Sequence, residues 1–201
     1  MTKSAQTLFW EGEFGTEYTQ RNSIDYMDRT KFWNQILTLA PEAKSFCELG
    51  TNSGTNLKAI NHIKPALSLT GVEANESAFQ KMKETGFINA VHCPIQDFTP
   101  VQKFDLVFTC GVLIHINPDD LPSIYKKMYE WSDKYILINE YFNPVPTTIS
   151  YRGNSERLFK RDFASEFLEA NNNKPQLVDY GFLWKKVEPA WDNTTWWLFK
   201  K

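Results

Sequence analysis

The stretch Ser45-Phe-Cys-Glu-Leu-Gly-Thr-Asn-Ser-Gly54 decides the fold. A short apolar run ends at Glu48-Leu49, Gly50 breaks it, and a segment of helical character, Thr55–Ile63, begins after Gly54. Glycine at the end of a strand permits a tight turn and lets a ligand approach the backbone closely. The helix that follows presents free N–H groups and partial positive charge at its first turn, which suits a carboxylate or another anionic group. A Gly-x-x-x-Gly turn by itself is a common pattern, so its meaning depends on what lies on either side.

Downstream, the same alternation repeats. Leu67–Glu73, Ile88–His92, Phe104–Cys110 and Tyr135–Asn139 read as further strands. The helical segments between them are Ser77–Thr85 and Asp119–Trp131, the latter with Asn117 as cap and Pro118 at its first position. This repetition predicts a doubly wound α/β fold whose mostly parallel sheet has helices on both faces. Right-handed crossovers put the strand C-termini along one edge, where ligands bind in such sheets. Upstream, Leu8–Asn22 is aromatic and turn-rich, and Ile24–Leu39 reads as a helix ended by Pro41, so residues 1–40 are expected to form an N-terminal cap. Residues 142–157 read as a long loop with Pro144, Pro146 and Gly153, of the kind that serves as a lid or specificity element. A helix, Lys160–Ala170, and an antiparallel pair, Gln176–Val187 with Thr194–Phe199, close a single domain spanning 1–201.

Composition narrows the function classes. Hydrophobic residues are 42% and charged residues 23% of the 201, as in a globular domain. The net charge of -2 provides no basic excess to neutralise a phosphate backbone, so nucleic acid is not expected as a partner. No signal-type or membrane-spanning run is seen, and Cys47, Cys93 and Cys110 have neither disulfide nor zinc spacing; together these read as a cytoplasmic chain without a metal. Seven Trp and eight Tyr exceed what a core of this size needs, so some are expected at a ligand site.

About twenty residues past the glycine turn, Glu73 ends the second strand, where a carboxylate suits two ribose hydroxyls. Asp97, just beyond the third strand, is placed to accept from an adenine amine, with Ile95 or Phe98 covering the ring. Glu48, Gly50, Gly54, Glu73, Asp97 and Phe104–His115, taken in that order, resemble the class I S-adenosylmethionine-dependent methyltransferases. The middle position of that family's Gly-x-Gly-x-Gly loop is Asn52 in this chain, a departure that bears on the loop's backbone geometry. The segments Trp10–Asn22, Tyr151–Gly153 and Leu158–Phe163 are similar to the small methylases associated with pseudaminic acid biosynthesis. The resemblance implies a seven-stranded sheet with an antiparallel closing strand and S-adenosylmethionine as cofactor. It further implies that Glu48 and Gly50, Asn52 and Gly54 hold the methionine part, Glu73 the ribose and Asp97 the adenine. The Cys110-Gly111 backbone would face the cofactor amine, and Tyr18 and Arg21 would close the site, Arg21 on the carboxylate. Arg21 also has a plainer reading, as a surface ion pair with Glu17 or Asp25.

For transfer to a hydroxyl a base is needed, and His115 just past the fourth strand is the candidate, its alternative being a packed residue of the Val112–Ile116 turn. Glu140, Tyr141, Tyr151 and Arg152 are expected to face a small polar acceptor, an arginine there clamping a carboxylate or phosphate such as a sugar acid or nucleotide sugar carries. Two rivals remain open: a cofactor-binding module without turnover, and an NAD-dependent oxidoreductase, against which the missing Gly-x-Gly-x-x-Gly spacing counts.

Overall fold

The computed structural model describes residues 3–22, 24–151 and 153–201, with the side chains of 154–156 aside. The segment Ser45–Leu49 forms β1, Ser68–Glu73 β2, Ile88–His92 β3, Phe104–Cys110 β4 and Ser132–Glu140 β5. With Gln176–Leu183 (β8) and Thr194–Lys200 (β9) they build one seven-stranded sheet in the order β3-β2-β1-β4-β5-β9-β8. The strands β1 to β5 are parallel, and β9 runs antiparallel to both β5 and β8. The order reverses beside β1, between β1 and β4, which puts a crevice at the C-terminal ends of these two strands.

Two apolar layers sandwich the sheet. On one face, α3 (Thr30–Leu39), α4 (Thr55–Ile63) and α5 (Glu76–Lys83) bury Trp33, Ile36, Leu57, Ile60 and Met82 against Phe46, Phe108 and Leu137. On the other, α6 (Leu121–Trp131) and α7 (Phe163–Ala170) bury Ile124, Met128, Phe163 and Phe167 against Val107, Ile136 and Phe199. Side-chain caps start three of the helical segments; of these the sequence reading names only Asn117, which caps the 3₁₀ turn Pro118–Asp120 ahead of α6 and not α6 itself. Asn75 accepts from Ala78 N at 3.2 Å, Asp162 from Ser165 N at 3.0 Å, and Asn117 from Asp119 N at 3.3 Å, with Pro118 following.

Three expectations change. The turn-rich reading of the N-terminus gives way to two helices, α1 (Ala5–Glu11) and α2 (Glu13–Arg21), hinged at Gly12. Their rings pack on one another, Phe9 on Phe14 at 4.2 Å and Trp10 on Tyr18 at 5.3 Å, and this packing compensates for weak helical patterning. The helix expected from Ile24 is a 3₁₀ turn, Tyr26–Arg29, leading into α3. The loop expected at 142–157 contains a hairpin, β6 (Thr147–Tyr151) with β7 (Asn154–Lys160), so the following helix begins only at Phe163.

Candidate active site

The crevice at the C-terminal ends of β1 and β4 opens into a cleft. Its floor is the β1–α4 loop. Gly50 has φ +71°, and a Cβ there would lie 2.7 Å from both γ-methyls of Val112, so the loop and the β4 turn touch through a glycine. Asn52 takes φ +53°, the left-handed region that asparagine tolerates better than other side-chain-bearing residues. Its own Oδ1 accepts from Ser53 N at 2.6 Å, and its N–H donates to Glu73 Oε2 at 2.7 Å. The departure from the glycine pattern therefore preserves the turn's backbone.

Glu73 lines the cleft and receives a second backbone N–H, from Asn75 at 2.8 Å; burial nonetheless pushes its pKa up. Glu48, also lining the cleft and only 2% exposed, accepts from Asn56 Nδ2 at 2.6 Å through Oε1, while Oε2 has no partner among the described residues. Burial pushes this carboxyl up to about 8, and the Asn56 hydrogen bond and the Arg29 charge offset only part of that. Cys110 and Gly111 border the cleft at the end of β4, and Gly111, at φ +66°, leaves open space where a Cβ would sit. The helices α1 and α2 roof it with Gln6, Trp10, Tyr18 and Thr19. Asn75 fastens that roof: the two N–H groups of its Nδ2 are shared among the carbonyls of Trp10, Glu11 and Gly12 at 3.2–3.3 Å and Thr16 Oγ1 at 3.2 Å.

Several expected residues lie elsewhere. Arg21 is exposed, bonds Glu17 at 3.4 Å and rests over the Phe14 and Tyr18 rings, so its surface ion-pair reading holds and it does not line the cleft. Asp97 is exposed at the end of its 3₁₀ turn; Ile95 and Gln96 line the cleft instead, because the turn points the third residue outward. Glu140 is fully buried on the other side of β5, where its carboxylate accepts from Val112 N and Leu113 N at 3.0 Å and Ile114 N at 3.5 Å. It caps the turn that carries His115 and does not face the cleft. Burial pushes Glu140 up to about 7 despite these three donors. The Tyr141 hydroxyl donates to Asp192 at 2.5 Å, outside the cleft lining. Tyr151 packs on the rings of His115 at 5.1 Å and Phe14 at 5.9 Å and does not line the cleft, and Arg152 lies outside the described residues.

His115 lines the cleft beneath Trp10, ring centroids 4.5 Å apart. Its Nδ1 donates to the Arg157 carbonyl at 2.7 Å, which fixes the tautomer with the lone pair on Nε2. Burial lowers its pKa to about 4, so the ring is neutral at neutral pH.

One cleft residue escaped the sequence reading. Arg29, on the 3₁₀ turn before α3, donates to Asn56 Oδ1 at 2.8 Å and to the Ala190 carbonyl at 3.3 Å, and stacks on Trp191 at 4.3 Å. Among the described residues its buried Nε has no hydrogen-bond partner, and the charges of Glu48 and Asp192 act on the guanidinium. Burial lowers its pKa. An arginine nineteen residues ahead of Glu48 carries no motif; only the fold of the turn brings it to the cleft.

Residues 46–134 match a family model described as a methyltransferase domain. No curated protein matches the chain. Its fold is similar to magnesium protoporphyrin IX methyltransferase from Synechocystis (9% identity, TM-score 0.69, 100% of this chain and 98% of that one). It is also similar to an S-adenosylmethionine-dependent methyltransferase from Clostridium acetobutylicum (13%, 0.66, 94% and 97%). A third similar structure is 1,6-didemethyltoxoflavin-N1-methyltransferase from Burkholderia thailandensis (14%, 0.63, 88% and 83%). All three were solved as methyltransferases, the first and third with S-adenosylmethionine or S-adenosylhomocysteine bound.

Proposed function

We propose that this methyltransferase domain, which has the fold of the S-adenosylmethionine-dependent enzymes, binds that cofactor in the cleft and passes its methyl group to a small polar acceptor. The observation that carries the reading is the presence of two buried, incompletely bonded groups of opposite chemistry lining one cleft: Glu48, whose Oε2 has no partner among the described residues, and the Arg29 guanidinium, whose Nε has none. An amino acid has one ammonium and one carboxylate, and these two side chains match them. Each buried polar atom left without a partner costs about 1–3 kcal/mol, so the pair favours an occupant that satisfies both.

In this reading Arg29 takes over the role that the resemblance gave Arg21. Glu48, Arg29, Asn56 and the Gly50–Gly54 backbone hold the methionine part. Glu73, its two oxygens already oriented by the N–H groups of Asn52 and Asn75, uses its remaining lone pairs for the ribose. Ile95 and Gln96 flank the adenine in place of Asp97. The bound cofactor supplies an electrophilic methyl on a sulfonium. Transfer needs donor and acceptor held in line, and the roof of Trp10 and Tyr18 keeps water from competing for the methyl. The neutral His115 imidazole accepts the acceptor's proton at Nε2, its orientation set by the Arg157 carbonyl and by Glu140 beneath the turn.

The acceptor is a hydroxyl or amine compound that also carries an anionic group, in the class of sugar acids and nucleotide sugars. What supports this is the similarity of the chain's ends to pseudaminic acid-associated methylases. The 1,6-didemethyltoxoflavin enzyme shows that the fold also admits nitrogen acceptors. The test is S-adenosylhomocysteine release across a panel of sugar acids, nucleotide sugars and amines. His115→Asn should lower turnover by about 10²–10⁴-fold with cofactor affinity unchanged. No release with any acceptor by a protein that binds the cofactor would leave a binding module and reject turnover.

A further inference from the structure

The two edges of the main sheet differ. One edge, β3, is five residues long. The other, β8, is eight residues long, pairs among the described residues only with β9, and within Gln176–Leu183 has no proline or lysine and a single charge, Asp179. Soluble proteins protect long edges with charge, proline, bulges or a covering helix, because the unpaired N–H and C=O groups template further strands. Here the protection is confined to Asp179 and one register shift between Leu177 and Asp179, and the edge carries apolar side chains outward: Leu177 is 50% exposed, Tyr180 64% and Phe182 61%, with Trp184 at 50% and Val187 at 61% just past the strand.

The register explains how they come together. Leu177, Tyr180 and Phe182 pair with Phe199, Trp197 and Thr195 and so share the face that α7 covers only in part. The remainder is an apolar groove walled by Ala164, Ser165 and Leu168 of α7, by Phe142, and by these β8 residues. With about 200 Å² for a full aromatic side chain, the exposed fractions of Leu177, Tyr180, Phe182 and Phe142 amount to roughly 440 Å² of apolar surface around this groove. That lies within the roughly 300–600 Å² patch found on a typical monomer, the size at which such patches are often functional. Interfaces are about 57–65% apolar, so this patch corresponds to roughly 700–800 Å² of total area per copy, close to the ~800 Å² of a standard stable interface.

We propose that the β8 edge and its groove are the interface of a homodimer, with β8 of one copy against β8 of a second in antiparallel pairing. A partner here must offer both a strand edge and an apolar face, and this chain's own β8 offers both. Antiparallel pairing about a two-fold axis covers both β8 edges at once, and the outer edge of each copy is then the short β3, so the assembly closes at two copies. The cleft lies at the β1 and β4 end of the sheet, three strands away from β8, and both copies keep it accessible.

The experiment is sedimentation velocity of the full chain at concentrations from about 1 to 100 μM, spanning the weak end of specific association. A species of twice the 23.4 kDa chain mass is expected. Tyr180→Lys with Phe182→Lys should give the monomer, with S-adenosylhomocysteine affinity unchanged. Val101→Lys, at an exposed site outside this patch, should leave the dimer intact. If the double variant misfolds, Leu177→Lys at the start of the strand and concentration-dependent slowing of β8 amide exchange in the wild type test the same contact. A wild type monomeric throughout, a dimer that survives the β8 substitutions, or open-ended oligomers would each overturn the proposal.

Discussion

Replacing Arg29 with methionine tests the cleft's electrostatics at its most informative point. Methionine keeps the apolar stem but ends short of the guanidinium, so it removes the charge, all donors and the guanidinium's stacking on Trp191. The cost to folding is modest. Asn56 Oδ1 keeps the Trp33 Nε1 donor at 3.2 Å, and the lost bond to the Ala190 carbonyl is long, at 3.3 Å, so with the lost stacking a loss of about 1–2 kcal/mol is expected. A buried cation with an unpartnered Nε also disappears, which offsets part of that. The cost to binding is larger. Hydrogen bonds to a charged group contribute about 1.5–3 kcal/mol, which is roughly a 10- to 150-fold rise in Kd. Isothermal titration with S-adenosylhomocysteine reads this directly, with Arg21→Met as the comparison, since Arg21 is exposed and paired with Glu17. Arg29→Met should weaken binding at least tenfold and Arg21→Met less than twofold. The opposite order would refute the assignment of the carboxylate to Arg29.

Other outcomes follow from the same cleft. Glu48 has its pKa raised by burial from the usual carboxylate range to about 8, so its contribution to stability is full below about pH 4.5 and is lost as pH rises through 8. Urea unfolding at pH 5, 7 and 9 should show Glu48→Gln gaining stability relative to wild type with rising pH; a constant difference would contradict the shift. Because a bound ammonium favours the charged carboxylate, cofactor binding at pH 7 should release a proton, read as a dependence of the observed heat on buffer ionisation enthalpy. For His115, lowered to about 4, the acid limb of kcat should fall near pH 4 and not near 6.5, as a pH–rate profile would reveal. Gly50→Ala, at φ +71° and 2.7 Å from Val112, should cost about 2–4 kcal/mol from the backbone and the overpacking together, measured by urea unfolding; a loss under about 1 kcal/mol would mean the Val112 turn moves freely.

The sheet was legible because its signals are local. Apolar runs of five to seven residues stopped by Gly50, Glu73 and Cys110 mark strand ends without any tertiary knowledge. The glycine turn and Glu73 were legible for the same reason, each being fixed by its distance from a strand. The N-terminal helices were not, because α1 and α2 hold their form through ring packing and through Asn75, sixty residues away in sequence. Glu140 shows a second limit. Strand alternation decides which face a terminal carboxylate takes, and a single residue of offset sends it to the Val112 turn and not to the cleft. Arg29 shows a third: a side chain brought to the cleft by a 3₁₀ turn carries no spacing signature at all.

Occupancy of the cleft between the β1 and β4 loops by S-adenosylmethionine is read by titrating the wild-type protein with that cofactor and, in parallel, with NAD. Saturable binding of one S-adenosylmethionine per chain, with no heat from NAD, is the predicted result. No heat from S-adenosylmethionine, or binding of NAD in its place, would contradict it.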